Sequence, residues 1–228
     1  LVTDLDVQSE ALIDVAYGIH ERQVLDYYPA LGASSTVLYV HGGGFIGGGK
    51  KINEKFYSNV GHYFSKRGIS AALMNYRLAP EFKWPEASRD IALAIEWLTQ
   101  HSPKGHNIFV MGQSAGAAHT ATYLMSEMWS DHAANHVSGA ILMSGFYDTR
   151  GAMSPGAMSY YGNDAAQVVA KSSVLTANLL KIPVLLTLAQ YDPQNIALQT
   201  LSLASHLTQV QKSCPPIQWL VGHNHVST

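Results

Sequence analysis

Residues 109–121 read FVMGQSAGAAHTA, and the pattern of this stretch decides the architecture. The apolar run 107–111 predicts a short buried strand, Gly112 interrupts it, and a helix-compatible series of small residues starts at Ala115. Strand, sharp turn and helix, with Gly112-Gln113-Ser114-Ala115-Gly116 at the turn, make a G-x-S-x-G nucleophile elbow. The turn dictates those residue types. The serine has to adopt a strained backbone conformation for its hydroxyl to stand clear of the sheet, and side chains two residues before and after it would strike neighbouring backbone. With glycine and serine each near 7% of residues, the five-residue pattern arises by chance in roughly one chain in twelve of this length. Its weight therefore comes from the strand before it, the helix after it and the residues at the other strand ends.

The chain around it has 228 residues, 47% hydrophobic and 13% charged, enough for one large core and too short for two comfortable domains. A single domain over 1–228 is expected. A net charge of −2 without a basic block argues against nucleic acid or an anionic membrane as partner. One cysteine, Cys214, excludes an intrachain disulfide and a cysteine-rich metal site, and fits a reducing, cytoplasmic setting. No apolar run approaches membrane-spanning length.

Short apolar runs alternate with helix-length segments. Strands are expected at 24–28, 35–40, 69–75, 107–111, 137–143, 182–188 and 217–221, and helices at 53–67, 85–100, from 115 onward, and near 195–210. Strands alternating with crossover helices predict an α/β fold with a mostly parallel central sheet and helices on both faces. In such sheets the site lies at the carboxyl ends of the strands, which makes the residues just after each strand the ones to inspect.

After the strand ending at Val40 comes His41-Gly-Gly-Gly-Phe45. Consecutive glycines let backbone N–H groups converge on a developing oxyanion, a role assigned to Gly43 and Gly44, with the N–H of Ala115 as third donor. His41 reads as a brace for the glycine loop. The same segment spells G-x-G-x-x-G through Gly42, Gly44 and Gly47, the dinucleotide fingerprint, but six of the eight residues 42–49 are glycine. That reading also needs an acidic residue at the end of the next strand, where the sequence has Asn75-Tyr76-Arg77. No cofactor is expected.

After the strand near 188 comes Asp192, and after the last strand comes His225. The chain order Ser114, Asp192, His225 suits a catalytic triad: histidine takes the serine proton and the aspartate fixes its tautomer. Asp148 and His223 are the competing acid and base. The remaining nine histidines read as surface or packing residues. His132 and His136, with Asp131 alongside, could pair on a metal but lack an evident third ligand.

With these pieces assembled, the chain resembles the α/β-hydrolase superfamily, and within it the hormone-sensitive-lipase and small carboxylesterase branch that includes kynurenine-formamidase-like esterases. The matching segments are HGGGF at 41–45, NYRLAPE at 75–81, W-P-x-A at 84–87, GQSAG at 112–116, YDP at 191–193 and GHNH at 222–225. The resemblance implies an α/β-hydrolase fold and hydrolysis of a small-molecule carboxylic ester through an acyl-enzyme, with a formamide or amide as the alternative substrate. A non-catalytic binding protein of this fold would have lost a triad member or an oxyanion glycine, and none is missing here. Three departures stand out. The cap before HGGG is minimal, Gln113 occupies a position commonly aspartate, and no helix follows His225 to cover the sheet. A further segment or a second subunit, in the simplest case a homodimer, would cover that face. The insert 147–181, with Met153, Met158, Tyr160 and Tyr161, reads either as a short lid lining an apolar pocket or as a packed hydrophobic cover. A short lid implies short acyl groups.

Overall fold

Eight strands form one sheet in the computed structural model, which describes residues 10–53 and 57–228. They are β1 (Leu12–Ala16), β2 (Val24–Tyr28), β3 (Ser35–Val40), β4 (Ser70–Met74), β5 (Asn107–Gln113), β6 (Gly139–Met143), β7 (Val184–Tyr191) and β8 (Ile217–Asn224). The spatial order is β1-β2-β4-β3-β5-β6-β7-β8, with β1 and β2 antiparallel to their neighbours and every pair from β4–β3 to β7–β8 parallel. β3 and β4 are buried almost throughout, which is why they read as continuous apolar runs instead of alternating ones.

The helices are α1 (Ser58–Ser65), α2 (Glu86–His101), α3 (Ala115–Leu124), α4 (Ser130–His136), α5 (Pro155–Tyr161), α6 (Ala165–Val169) and α7 (Gln194–Gln211). α2 turns Ile91, Ile95 and Leu98 into the larger core, where they meet the small residues Ala117, Ala118 and Ala121 of α3. Small side chains let α3 lie close under the sheet, so the residue before it is carried to the strand ends. On the opposite face Tyr28, Tyr39, Ala71 and Leu73 form a second cluster with Val60 and Phe64 of α1.

Several boundaries differ from expectation for identifiable reasons. The predicted helix 53–67 is α1, eight residues long, and residues 54–56 of that prediction lie outside the described residues. β1 leaves no clear pattern in the sequence because it is a half-exposed outer strand with an irregular register between Leu12 and Val15 and with Asp14 at φ +54°. α4 is a polar seven-residue helix that buries only Ser130 and Ala133, too little to print a period. At the other edge β8 leaves the alternating Ile217, Trp219 and Val221 exposed.

The insert between β6 and β7 carries α5 and α6, capped by Ser154, whose Oγ accepts from Ala157 N at 3.2 Å, and by Asp164. Of the two readings of its aromatic residues, packing holds. Tyr160 and Tyr161 are buried, Tyr160 stacking on Phe45 at 5.3 Å and Tyr161 meeting it edge-on at 5.4 Å.

The glycine-rich segment after β3 is anchored at its far end by Lys50. Its ammonium is buried and pairs with buried Asp26 of β2 and with Asp14, while its backbone N–H donates to Asn75 Oδ1 at 2.6 Å. Removing one partner of such a pair strands a charge in the interior. Lys50→Met is expected to lose about 3–5 kcal/mol of stability in urea unfolding at pH 7. The double variant with Asp26→Asn should recover most of it, and a single-variant loss below about 1 kcal/mol would show that Asp26 is hydrated.

Candidate active site

Ser114 joins β5 to α3 at φ +55° and ψ −118°, a conformation that side chains rarely adopt, and its N–H donates to Met143 O of β6 at 2.9 Å. The flanking glycines are required by contact. A Cβ on Gly112 would stand 2.6 Å from Gly116 O and 2.7 Å from Thr120 Oγ1, and one on Gly116 would stand 2.1 Å from Val40 O and 2.5 Å from His41 O. The helix therefore starts against the end of β3, beside the glycine loop.

That loop is equally constrained. Gly43 has φ +136° and Gly44 φ +60°, and Gly47 N–H closes a turn on Gly43 O at 3.1 Å. Among the described residues, no intramolecular acceptor takes the N–H groups of Gly43, Gly44 or Ala115. His41 beneath the loop is fully buried. It stacks on Tyr76 at 4.3 Å between centroids, donates from Nδ1 to Gly42 O at 2.5 Å, and its own carbonyl accepts from Tyr76 Oη at 2.8 Å. That is a brace for the loop.

The structure brings together the three residues singled out at separate strand ends. His225 Nε2 lies 2.9 Å from Ser114 Oγ, and its Nδ1 lies 2.8 Å from Asp192 Oδ1. The carboxylate takes the Nδ1–H, so the Nε2 lone pair faces the serine hydroxyl. Asp192 is completely buried, whereas the His225 ring is about a quarter exposed. The competitors are occupied elsewhere. Asp148 forms a two-point pair with Arg150 at 2.8 and 2.6 Å, which lowers its pKa, and exposed His223 bonds Ser227 O at 2.6 Å. Asn75, where a dinucleotide site needs an acid, spends its side chain on Lys50 N and its carbonyl on Tyr17 Oη. His132 faces Tyr123 Oη at 2.8 Å, and the described residues hold no group of three metal-ligating side chains.

Three hydrogen bonds were not foreseen. Ser144, at the end of β6 with φ +47°, donates its hydroxyl to Asp192 Oδ2 at 2.6 Å, and Ala189 N–H donates to the same oxygen at 2.7 Å. Gln113 Nε2 donates to His225 O at 2.8 Å. Ser144 and Asp192 follow the adjacent strands β6 and β7, whereas Gln113 reaches from β5 to the turn after β8; only the strand-end position of Ser144 in the SGFYD run could have signalled its bond.

A family model of the alpha/beta hydrolase fold matches residues 37–222. The chain belongs to this family. Over 104 residues it is 31% identical to an ethyl acetate hydrolase of Pseudomonas putida, covering 44% of this chain and 31% of that protein. Over 118 residues it is 32% identical to a versiconal hemiacetal acetate esterase of Aspergillus parasiticus, covering 50% of this chain and 35% of that protein. The matched stretches thus span about a third of these two relatives. Among solved structures, esterase B from Lactobacillus rhamnosis superposes with a TM-score of 0.76 at 19% identity, over 95% of this chain and 78% of that one. A hyperthermophilic esterase from the archaeon Pyrobaculum calidifontis gives 0.73 at 20% identity, over 98% and 77%. At these identities the structures show a shared fold.

Under the site lie two buried histidines. His119 on α3 has both ring nitrogens unpartnered inside a box of Phe45, Tyr76 and Tyr160, 4.7 to 5.3 Å away. Burial lowers its pKa to about 3, helped by nearby His41, and burial lowers His41 to about 4. Unfolding exposes both rings to water, where they bind protons near pH 6.5. The folded state therefore binds fewer protons between the two pKa values, and the stability these groups support is present above pH 6.5 and lost as pH falls toward 4. Urea midpoints should drop on acidification, the two rings together contributing up to about 2.7 kcal/mol per pH unit around pH 5. His119→Phe should remove about half of that slope, and an unchanged slope would mean that His119 is already protonated in the fold.

Proposed function

We propose that the protein is a serine carboxylesterase acting on short-acyl esters. The observation that carries this reading is the unbroken Asp192–His225–Ser114 relay, with hydrogen-bond distances of 2.8 and 2.9 Å. Its position beside a glycine loop with uncommitted N–H groups adds support.

Ser114 Oγ attacks the ester carbonyl carbon while its proton passes to His225 Nε2, and Asp192 stabilises the imidazolium. The carbonyl π pair moves onto oxygen, and the N–H groups of Gly43, Gly44 and Ala115 receive the oxyanion. Loss of one such donor costs about 3–4 kcal/mol of transition-state stabilisation. The tetrahedral intermediate collapses, the alkoxide leaves with the proton from His225, and the acyl group stays on Ser114. Water then attacks the acyl-enzyme by the same route, releasing the carboxylic acid and restoring the hydroxyl.

The short-acyl preference draws on the small insert, whose Tyr160 and Tyr161 fill the core, and on relatives named for acetate esters. A formamide would use the same machinery, and no contact in the site favours it.

Turnover of p-nitrophenyl acetate, butyrate and octanoate, set beside N-formylkynurenine, tests the reading directly. Acetate and butyrate esters are expected to be fastest. Ser114→Ala should lower kcat by about 10⁴-fold or more, and a fluorophosphonate should label the wild-type chain at Ser114, read by peptide mass spectrometry. Wild-type turnover by Ser114→Ala would sink the mechanism, and faster octanoate hydrolysis would sink the short-acyl preference. A preferred formamide would move the protein from the esters to the amides.

A further inference from the structure

We propose that Gln113 is a positioning residue that holds the loop of the general base over the nucleophile, an inference that rests on the esterase reading above. His225 lies at the end of β8, an edge strand whose residues are almost all exposed. The turn that carries it is stapled mostly to itself. Asn224 Oδ1 accepts from the N–H groups of Val226 and Ser227, Asn224 N–H donates to Ser227 Oγ, and His223 Nδ1 bonds Ser227 O. Those bonds fix the shape of the turn, and its entry is tied to the sheet where Asn224 pairs with Tyr191 of β7, but they leave the residues from His225 onward without a bond to the interior.

Packing does not fix it either. Residues 226–228 line a cavity of about 210 Å³ shared with Tyr39, Tyr57, Met111 and Met143, and Val226 is 68% exposed. Two groups from the sheet interior reach across. Asp192 takes the imidazole N–H, and Gln113 Nε2 donates to the His225 carbonyl at 2.8 Å. The first bond leaves the backbone free to rock about the imidazole; the second pins the backbone, so the two together set the ring on Ser114.

The glutamine is itself held. Its side chain is buried and runs along the glycine loop, where a Cβ on Gly42 would stand 2.3 Å from Gln113 Oε1 and 3.1 Å from Ser114 Cβ. Gly42 is thus a glycine because the amide occupies the space its side chain would need. Gln113 precedes Ser114 in the chain, so one residue ties together the elbow, the glycine loop and the base loop. The chemistry requires a hydrogen-bond donor of this length, because its partner is a carbonyl.

Gln113→Glu keeps the length and exchanges the amide donor for a carboxyl group that donates only when protonated. At pH 8 the variant should show kcat about tenfold below wild type with KM within about twofold. As pH falls toward 5 the introduced carboxyl takes up a proton and regains a donor, so the ratio of variant to wild-type kcat should climb toward one. The other titratable groups on the surrounding elements are Asp192, His41, Tyr39 and Tyr57, with exposed His223 on the base turn itself, whose ring bonds Ser227 O. Burial depresses His41 to about 4 and raises both tyrosines, so these three hold their protonation state across this range. A carboxylate acting only through its charge would raise the pKa of His225 and make the ratio fall on acidification, the opposite sign.

Gln113→Met, of similar length and without a donor, should show the same drop in kcat at every pH. It also decides the matter if the glutamate variant does not fold. Fluorophosphonate titration of Ser114 counts competent sites in each preparation. A wild-type kcat per titrated site in either variant, or a pH-independent deficit in Gln113→Glu, would overturn the assignment. Retained turnover in Ser114→Ala would instead overturn the esterase reading on which it rests.

Discussion

A serine held at φ +55° between a strand and a helix is the constraint on which the rest of the site depends. The turn closes only if α3 starts within contact distance of the end of β3, and that approach is close enough that any side chain at Gly116 would overlap the carbonyls of Val40 and His41. The strain at Ser114 is therefore sustained by the packing of α3 under the sheet, through alanines at 117, 118 and 121. The same approach sets the glycine loop beside the serine, because the loop begins directly after Val40. Ser114 and the glycine-loop N–H groups are thus fixed relative to one another by one helix–strand contact, before His225 is considered.

His225 and Asp192 arrive by a different logic. A parallel sheet sends every strand end to the same edge, so residues 78 and 111 positions from Ser114 in sequence meet it in space. The rigidity of the two arms differs. Asp192 directly follows β7, a strand paired on both sides, and takes donors from Ser144, Ala189 and His225. His225 sits past the edge strand, exposed and stapled mainly to its own turn. Order in this site falls from the elbow outward to the base, and the polar contacts that cross strands are placed where packing runs out.

How much of the site is legible in the residues alone depends on how local each signal is. β2 and β3 were delimited to the residue because their apolar runs end in turn-forming segments, and the elbow announced itself because its glycines answer a local clash. Ser114, Asp192 and His225 were legible as strand-end residues in a fixed order. β1, α4 and the short helices of the insert left no clear pattern because each buries few side chains or is too short to show a period. The bonds of Ser144 to Asp192 and of Gln113 to His225 were invisible for another reason. They join residues 48 and 112 positions apart in sequence, the first between the ends of the adjacent strands β6 and β7 and the second from β5 to the turn after β8, and no local pattern encodes such a meeting.

The insert shows why burial of an aromatic residue has to be known before it is given a functional role. Tyr160 and Tyr161 sit in the segment where a lid would lie, and sequence alone allowed them to face a substrate. Instead Tyr160 stacks on Phe45, the residue that ends HGGGF, and meets His119 of α3 edge-on at 4.7 Å. At the other end of α5, a Cβ on Gly156 would stand 2.1 Å from the carbonyl oxygen of Gly44. The helix thus touches the glycine loop at both of its ends, once by backbone and once by ring stacking. A segment so joined cannot swing as a rigid lid without dragging Gly44 and Phe45 with it. Its position and the geometry of the glycine loop are one mechanical unit, so changes in the insert that widen access to the site will also reach the loop N–H groups that the proposed reaction needs.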